Sequence, residues 1–129
     1  MPSISFHKEE RLKSRKVISH LFKDGKSIKS YPLRLVWTEI DPPKSEFPVQ
    51  FTLSVSRRSF PKAHQRNLLR RRIREAYRIN KNWLYENLPE NCPQIGLMVI
   101  YISRETLPFQ DIEKATCKWM KIFVKNLEQ

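Results

Sequence analysis

The sequence predicts an α+β domain, a small sheet that carries its helices on one face. Three observations point there. Two segments alternate apolar and polar residues with a period of two, Leu33–Trp37 and Val49–Ser56. An unbroken apolar stretch, IGLMVIYI, has the size of a buried strand rather than of a membrane span. Two longer segments, about 65–84 and about 109–127, instead repeat their apolar residues at spacings of three and four, as helices do.

Taken in order, residues 1–13 read as an irregular arm. Ser14 is placed to cap a short helix over Arg15–Lys23, with Val17, Ile18, Leu21 and Phe22 on one side. Gly25 follows as a left-handed helix stop. In YPLRLVWTEI, Leu33, Leu35 and Trp37 face one way and Arg34, Val36 and Thr38 the other. After the loop DPPKSEFP, a second strand sets Val49, Phe51, Leu53 and Val55 against Gln50, Thr52, Ser54 and Ser56. Its polar face would be open to solvent or a ligand. The helix over 65–84 ends before LPENCPQ, and a third strand covers Ile95–Ile102. The last helix presents Ile112, Ala115, Trp119, Ile122 and Phe123. If the helix over 65–84 joins parallel strands, ordinary chirality makes that crossover right-handed.

At 129 residues the chain has the length of one domain, 1–129, with roughly 65–70% of its unfolded surface available for burial. The formal net charge is +12 and the pI about 10.1, and the charge is unevenly spread. Residues 57–81 hold ten Lys and Arg against Glu75 alone, and Lys8–Lys29 hold eight against three acidic residues. Residues 84–129 are nearly balanced, with five basic and six acidic. Two basic blocks on a near-neutral body suit a polyanion, with nucleic acid ahead of an anionic membrane. There is no signal-peptide-like start and no transmembrane-length run, and Cys92 and Cys117 belong to no CxxC motif. A cytoplasmic protein with two reduced thiols fits these features.

The densest basic stretch, HQRNLLRRRIREAYRIN, holds six arginines. At about 100° per residue, Arg66, Arg70, Arg74 and Arg78 form an i, i+4 ladder with Arg71 beside it. Leu69, Ile73, Ala76 and Tyr77 make the adjoining apolar stripe, so the segment is an amphipathic helix rather than a free tail. Like charges at i, i+4 repel by a few tenths of a kcal/mol each, which a bound polyanion would offset. Arginine also grips phosphate with a planar fork. A polar sheet face beside Ile18 and Phe22, with Arg34 pointing into it and Arg57 and Arg58 at its rim, suits single-stranded RNA better than duplex DNA.

RNLLRRRIREAYR, preceded by FTLSVSRR and by RLKSRKVISHLFKDGKS, resembles the protein subunit of bacterial ribonuclease P from about Arg11 to the final helix. The resemblance implies an α/β sandwich around a four-stranded sheet, ribosomal-protein-domain-like, with an unusual left-handed βαβ crossover. It implies no catalytic residue in this chain. The family's enzyme removes 5′ leaders from precursor tRNA, and its RNA subunit carries the chemistry and most of the divalent metal, Mg2+. The implied partners are therefore ribonuclease P RNA and precursor tRNA, with neither membrane nor DNA. By position, Arg66 and Asn67 match the start of the family's R-N-R signature, and Leu68 stands where its second arginine is expected. Arg70, Arg71 and Arg74 match the basic positions that follow, with Arg78, Arg57 and Arg58 extending the RNA-binding set. Phe22, Arg34 and Val36 match the leader cleft, and Ile18 belongs to it in place of a second aromatic.

Other readings are a ribosomal or chaperone-like RNA-binding module without enzymatic role, and an autonomous metal-dependent nuclease. For the nuclease, His7, His20 and His64 lack metal-ligand spacing, and the basic blocks are poor in the carboxylates it would need. Gly25 and Gly96 are the only glycines, so no glycine-rich phosphate loop exists. Glu75 reads as a salt-bridge partner of Arg71 or Arg78.

Overall fold

The computed structural model describes residue 6 and residues 8–128. Met1–Ser5 and His7, part of the expected irregular arm, lie outside the described residues. The rest of that arm is ordered by specific contacts. Lys8–Glu10 form a 3-10 turn, and Arg11 makes a parallel bridge to Phe51.

Helix α1 spans Arg15–Asp24, with the Ser14 hydroxyl accepting from the Val17 N–H at 3.3 Å. Strand β1 follows at Lys26–Ser30, then β2 (Leu33–Ile40), β3 (Val49–Val55), helix α2 (Ala63–Asn87), β4 (Gln94–Tyr101) and α3 (Phe109–Glu128). The sheet runs β1-β2-β4-β3, antiparallel except for the parallel β3–β4 pair that α2 connects. The four strands agree with the family resemblance, whereas the residue pattern alone predicts three. β1 reads KSIKS, and as an edge strand it buries only Ile28 and Ser30, too little to leave a hydrophobic signature.

Gly25 corrects a second expectation. Its φ of −66° and ψ of 144° are extended, so it is not a left-handed stop. It is needed for room, because a Cβ there would stand 2.3 Å from the Leu21 carbonyl oxygen and 2.7 Å from Val36 Cγ1. The chain passes from α1 into β1 through this gap, which fixes the C-terminal end of α1 over β2.

The helices also divide between the two faces instead of sharing one. Odd-numbered strand residues, among them Leu33, Leu35, Trp37, Phe51, Leu97 and Val99, build the main core with Leu69, Ile73, Tyr77 and Leu84 of α2 and Trp119 and Phe123 of α3. Phe51 stacks on Tyr77 with ring centroids 4.0 Å apart, and Trp37 meets Phe123 edge to face at 5.1 Å. On the even-numbered face, α1 forms a smaller cluster of Leu12, Leu21, Ile40 and Met98, with Val17, Ile18, Val36 and Ile100 packed at its margin. Ten residues of helix cannot cover four strands, so part of this face stays open.

Candidate nucleic-acid interface

The strand register defines that open face. Arg34, Ile100 and Ser54 lie in one row across β2, β4 and β3, and Val36, Met98 and Thr52 in the next. Met98 is covered by α1, while Ile100, Thr52 and Ser54 are half-buried and Arg34 is exposed. Ile18 and Val36 belong to the margin of the small cluster. Phe22, one turn beyond Ile18 on the same flank of α1, is 67% exposed, which excludes core packing for it. These residues form a trough with an apolar wall, a floor of hydroxyls and one arginine. Arg57 and Arg58 lie exposed in the turn that follows β3, at the Ser54 end of the floor, where the Ser56 hydroxyl accepts from the Arg58 N–H at 3.1 Å.

Helix α2 lies across the other face, and its arginines divide by task. The guanidinium of Arg66 donates through Nη1 to the carbonyls of Phe60 at 2.9 Å and Pro61 at 2.8 Å, so it ties the β3–α2 loop to the helix. Arg72 donates to the Leu107 carbonyl at 2.6 Å and anchors the loop before α3. Arg78 pairs with Glu75 at 2.6 Å, and this bond holds the Glu75 carboxyl below its usual range. The ends of the i, i+4 ladder are thus engaged within the protein, a division that the spacing of like residues does not encode. Arg70, Arg71 and Arg74 remain in the middle with no ion pair among the described residues. Asn67 is exposed on the first turns, next to Leu68, whose side chain lines a shallow depression with Arg71, Arg74 and Arg78.

Two residues that tie the arm to α2, Glu10 and Lys81, carry no functional signal in the sequence. Glu10 is fully buried, and its carboxylate receives the Lys81 ammonium at 2.6 Å and the Tyr85 hydroxyl at 2.6 Å. The Tyr85 and Tyr77 hydroxyls lie 3.2 Å apart, and burial pushes both well above the usual phenol range. Glu10 sits in the charged run HKEER, and its separation of 71 positions from Lys81 conceals the pairing. Among the described residues, no three His, Cys, Asp or Glu side chains gather where they could hold a metal ion. Nor is any described helix long and apolar enough to cross a membrane.

The chain matches the family model described as Ribonuclease P over residues 6–124. It is 34% identical over 120 residues to the ribonuclease P protein component of Porphyromonas gingivalis strain W83, covering 91% of this chain and 85% of the relative. It is 36% identical over 112 residues to the component from Chlorobium phaeobacteroides, covering 81% of this chain and 77% of the relative. Among solved structures, the RNase P protein from Thermotoga maritima superposes with a TM-score of 0.67 at 23% identity, covering 87% of this chain and 96% of that one. The Staphylococcus aureus RNase P protein gives a TM-score of 0.65 at 19% identity, with coverages of 88% and 94%. At these identities the two structures speak for the fold.

Proposed function

The chain belongs to the ribonuclease P protein family, and from that premise we propose how its surfaces serve a ribonucleoprotein endoribonuclease that matures the 5′ ends of tRNA. Arg70, Arg71 and Arg74, with Asn67 beside them, bind phosphates of the ribonuclease P RNA. The trough of Ile18, Phe22, Arg34 and Val36 takes the single-stranded 5′ leader of precursor tRNA, with Arg57 and Arg58 at its mouth. Arg66 and Arg78 act mainly by bracing the helix, although each keeps a charge at its rim. The divalent metal and the cleavage step belong to the RNA partner, and the protein as a single domain contributes binding and orientation. Work on tRNA precursors makes the cytoplasm its place of action.

The observation that carries this reading is the uncompensated trio on α2. Three guanidinium groups within five residues find no carboxylate among the described residues, and arginine is the side chain that holds phosphate oxygens in pairs. Reconstitution tests it. The protein alone should leave precursor tRNA intact, and it should accelerate cleavage at physiological magnesium once a bacterial ribonuclease P RNA is added. Absence of stimulation by any such RNA sinks the reading, and cleavage without RNA means that the chain is itself a nuclease.

The trough makes a separate prediction. An exposed phenyl ring offers a base a stacking surface worth about 1–3 kcal/mol. Phe22→Ala is therefore expected to weaken holoenzyme binding of leader-bearing precursor about 5- to 150-fold while leaving mature tRNA nearly unchanged. Equal losses on both RNAs, measured by competitive binding, refute a role for Phe22 in holding the leader.

A further inference from the structure

The trough and the arginine helix lie on opposite faces of the sheet, and the open edge of β3 is the shortest way between them. β3 is the outermost strand on its side. The N-terminal arm pairs with it only as far as Phe51, where the Leu12 N–H donates to the Phe51 carbonyl at 2.9 Å. Beyond that point no described residue pairs with the edge. Leu53, two residues on, turns its backbone toward the same side as Phe51, so its N–H faces outward.

A concavity of about 150 Å³ occupies this gap, lined by Phe6, Arg11, Lys13, Thr52, Leu53 and Arg74, among others. Thr52 belongs to the trough face and Leu53 to the α2 face, so the concavity wraps around the edge of the sheet as a saddle. Arg11 and Lys13 are exposed, and neither they nor Arg74 form an ion pair among the described residues. Arg11 lies over the Phe6 ring, 5.6 Å from its centroid.

The arm that brings these charges here is firmly fixed. Besides the buried bonds of Glu10 to Lys81 and Tyr85, the Glu9 carbonyl accepts from Gln50 Nε2 and from the Ser45 hydroxyl, each at 3.2 Å. Phe6 packs edge-on against both Phe51 and Tyr77. Three cations are thus held around a narrow saddle that also offers an outward backbone N–H. A row of cations leading from one side of a sheet to the other matches a strand with a regularly charged backbone better than a compact anion.

We propose that Arg11 and Lys13 carry the phosphates of the precursor tRNA leader around the edge of β3, from the trough toward the arginine helix at Arg74. The proposal rests on the reading of the trough as the leader site and extends it to leaders long enough to leave the trough. Arg11 and Lys13 add two contacts to those of α2, and the arm becomes a third RNA-binding element beside the trough and the helix.

The test measures holoenzyme affinity across a salt series for a long-leader precursor, a short-leader precursor and mature tRNA. Arg11→Gln and Lys13→Ala are each expected to lower the salt slope by about 0.7 for the long leader, the value for one single-strand phosphate contact. The short leader and mature tRNA should keep their slopes. Unfolding curves of both variants should match the parent, since both side chains are exposed. An unchanged long-leader slope overturns the proposal, and so does an equal loss on mature tRNA or a loss confined to binding of the ribonuclease P RNA. Phe22→Ala, run beside them, separates the two levels. If Phe22→Ala discriminates leader-bearing from mature RNA while the arm variants do nothing, the trough stands and the saddle falls. If Phe22→Ala does not discriminate, the leader reading fails first and the saddle fails with it.

Discussion

Replacing Arg70, Arg71 and Arg74 together by alanine is expected to weaken binding to ribonuclease P RNA by about a hundredfold near physiological salt and to lower the salt slope by roughly two to three units, since each lost phosphate contact removes up to about 0.9. The loss should be uniform across RNA sequences, because phosphate contacts orient the protein without reading bases. Stability should not suffer. Arg71 and Arg74 are exposed and Arg70 is half-buried, and none of the three forms a side-chain hydrogen bond or ion pair among the described residues. Alanine is a better helix former than arginine, and removing the Arg70–Arg74 repulsion at i, i+4 returns a few tenths of a kcal/mol. The triple variant should therefore unfold at the same denaturant concentration as the parent, or slightly higher. A binding isotherm and an unfolding curve on one preparation decide the matter. An unchanged salt slope removes the trio from the interface.

Arg66→Ala makes an informative contrast with that variant. Its guanidinium holds the carbonyls of Phe60 and Pro61, so truncation should loosen the loop before α2 as well as reduce charge. The sequence shows Arg66 and Arg70 as equal members of one ladder. The periodicity identifies which residues share a flank of the helix, and it identifies them correctly. It is silent about which of them an adjacent loop will recruit, since the loop carbonyls belong to residues that have no side-chain signature for the task.

The same limit explains the rest. Alternation exposes β2 and β3 because each buries one face, and β4 is legible because it has no polar residue from Ile95 to Ile100. β1 escapes because an edge strand of five residues with one large apolar side chain looks like a polar loop. Gly25 reads as a helix stop from composition, yet its conformation is extended and its smallness answers to the carbonyl of Leu21 and the side chain of Val36. That second constraint arises only when α1 and β2 meet. The trough was half legible. The parity of β2 places Arg34 and Val36 on one face, but the exposure of Phe22 follows from α1 lying over β2 and β4 while leaving β3 open, which is a property of the packing.

The buried pair Glu10–Lys81 is where the largest stability effect is expected. Glu10→Ala leaves the Lys81 ammonium almost fully buried without its carboxylate, and breaking a buried pair from one side costs about 3–5 kcal/mol. A domain of this size has a total stability of about 5–15 kcal/mol, so the variant should be near the edge of folding. Lys81→Met should cost less, because the Tyr85 hydroxyl still donates to Glu10. The double variant Glu10→Gln, Lys81→Met removes both charges at similar volume and keeps an acceptor for Tyr85. It is expected to recover most of the loss, because a buried ion pair replaced as a whole by neutral groups is often neutral or stabilising. With Glu10→Gln alone added, denaturant unfolding of the parent, the singles Glu10→Gln and Lys81→Met and their double closes the cycle and gives the coupling energy directly. Additive single effects would mean that the two groups do not depend on each other, contrary to the 2.6 Å contact. The pair also links stability to binding. It ties the arm to α2 across the edge of β3, so Glu10→Ala should free Arg11 and Lys13 from their places beside Arg74. At concentrations where that variant remains folded, its long-leader salt slope should fall by as much as those of Arg11→Gln and Lys13→Ala combined. The double variant, with the arm docked again, should regain the slope. A stability loss without that change in slope would make Glu10 a core residue only, with no part in positioning the arm.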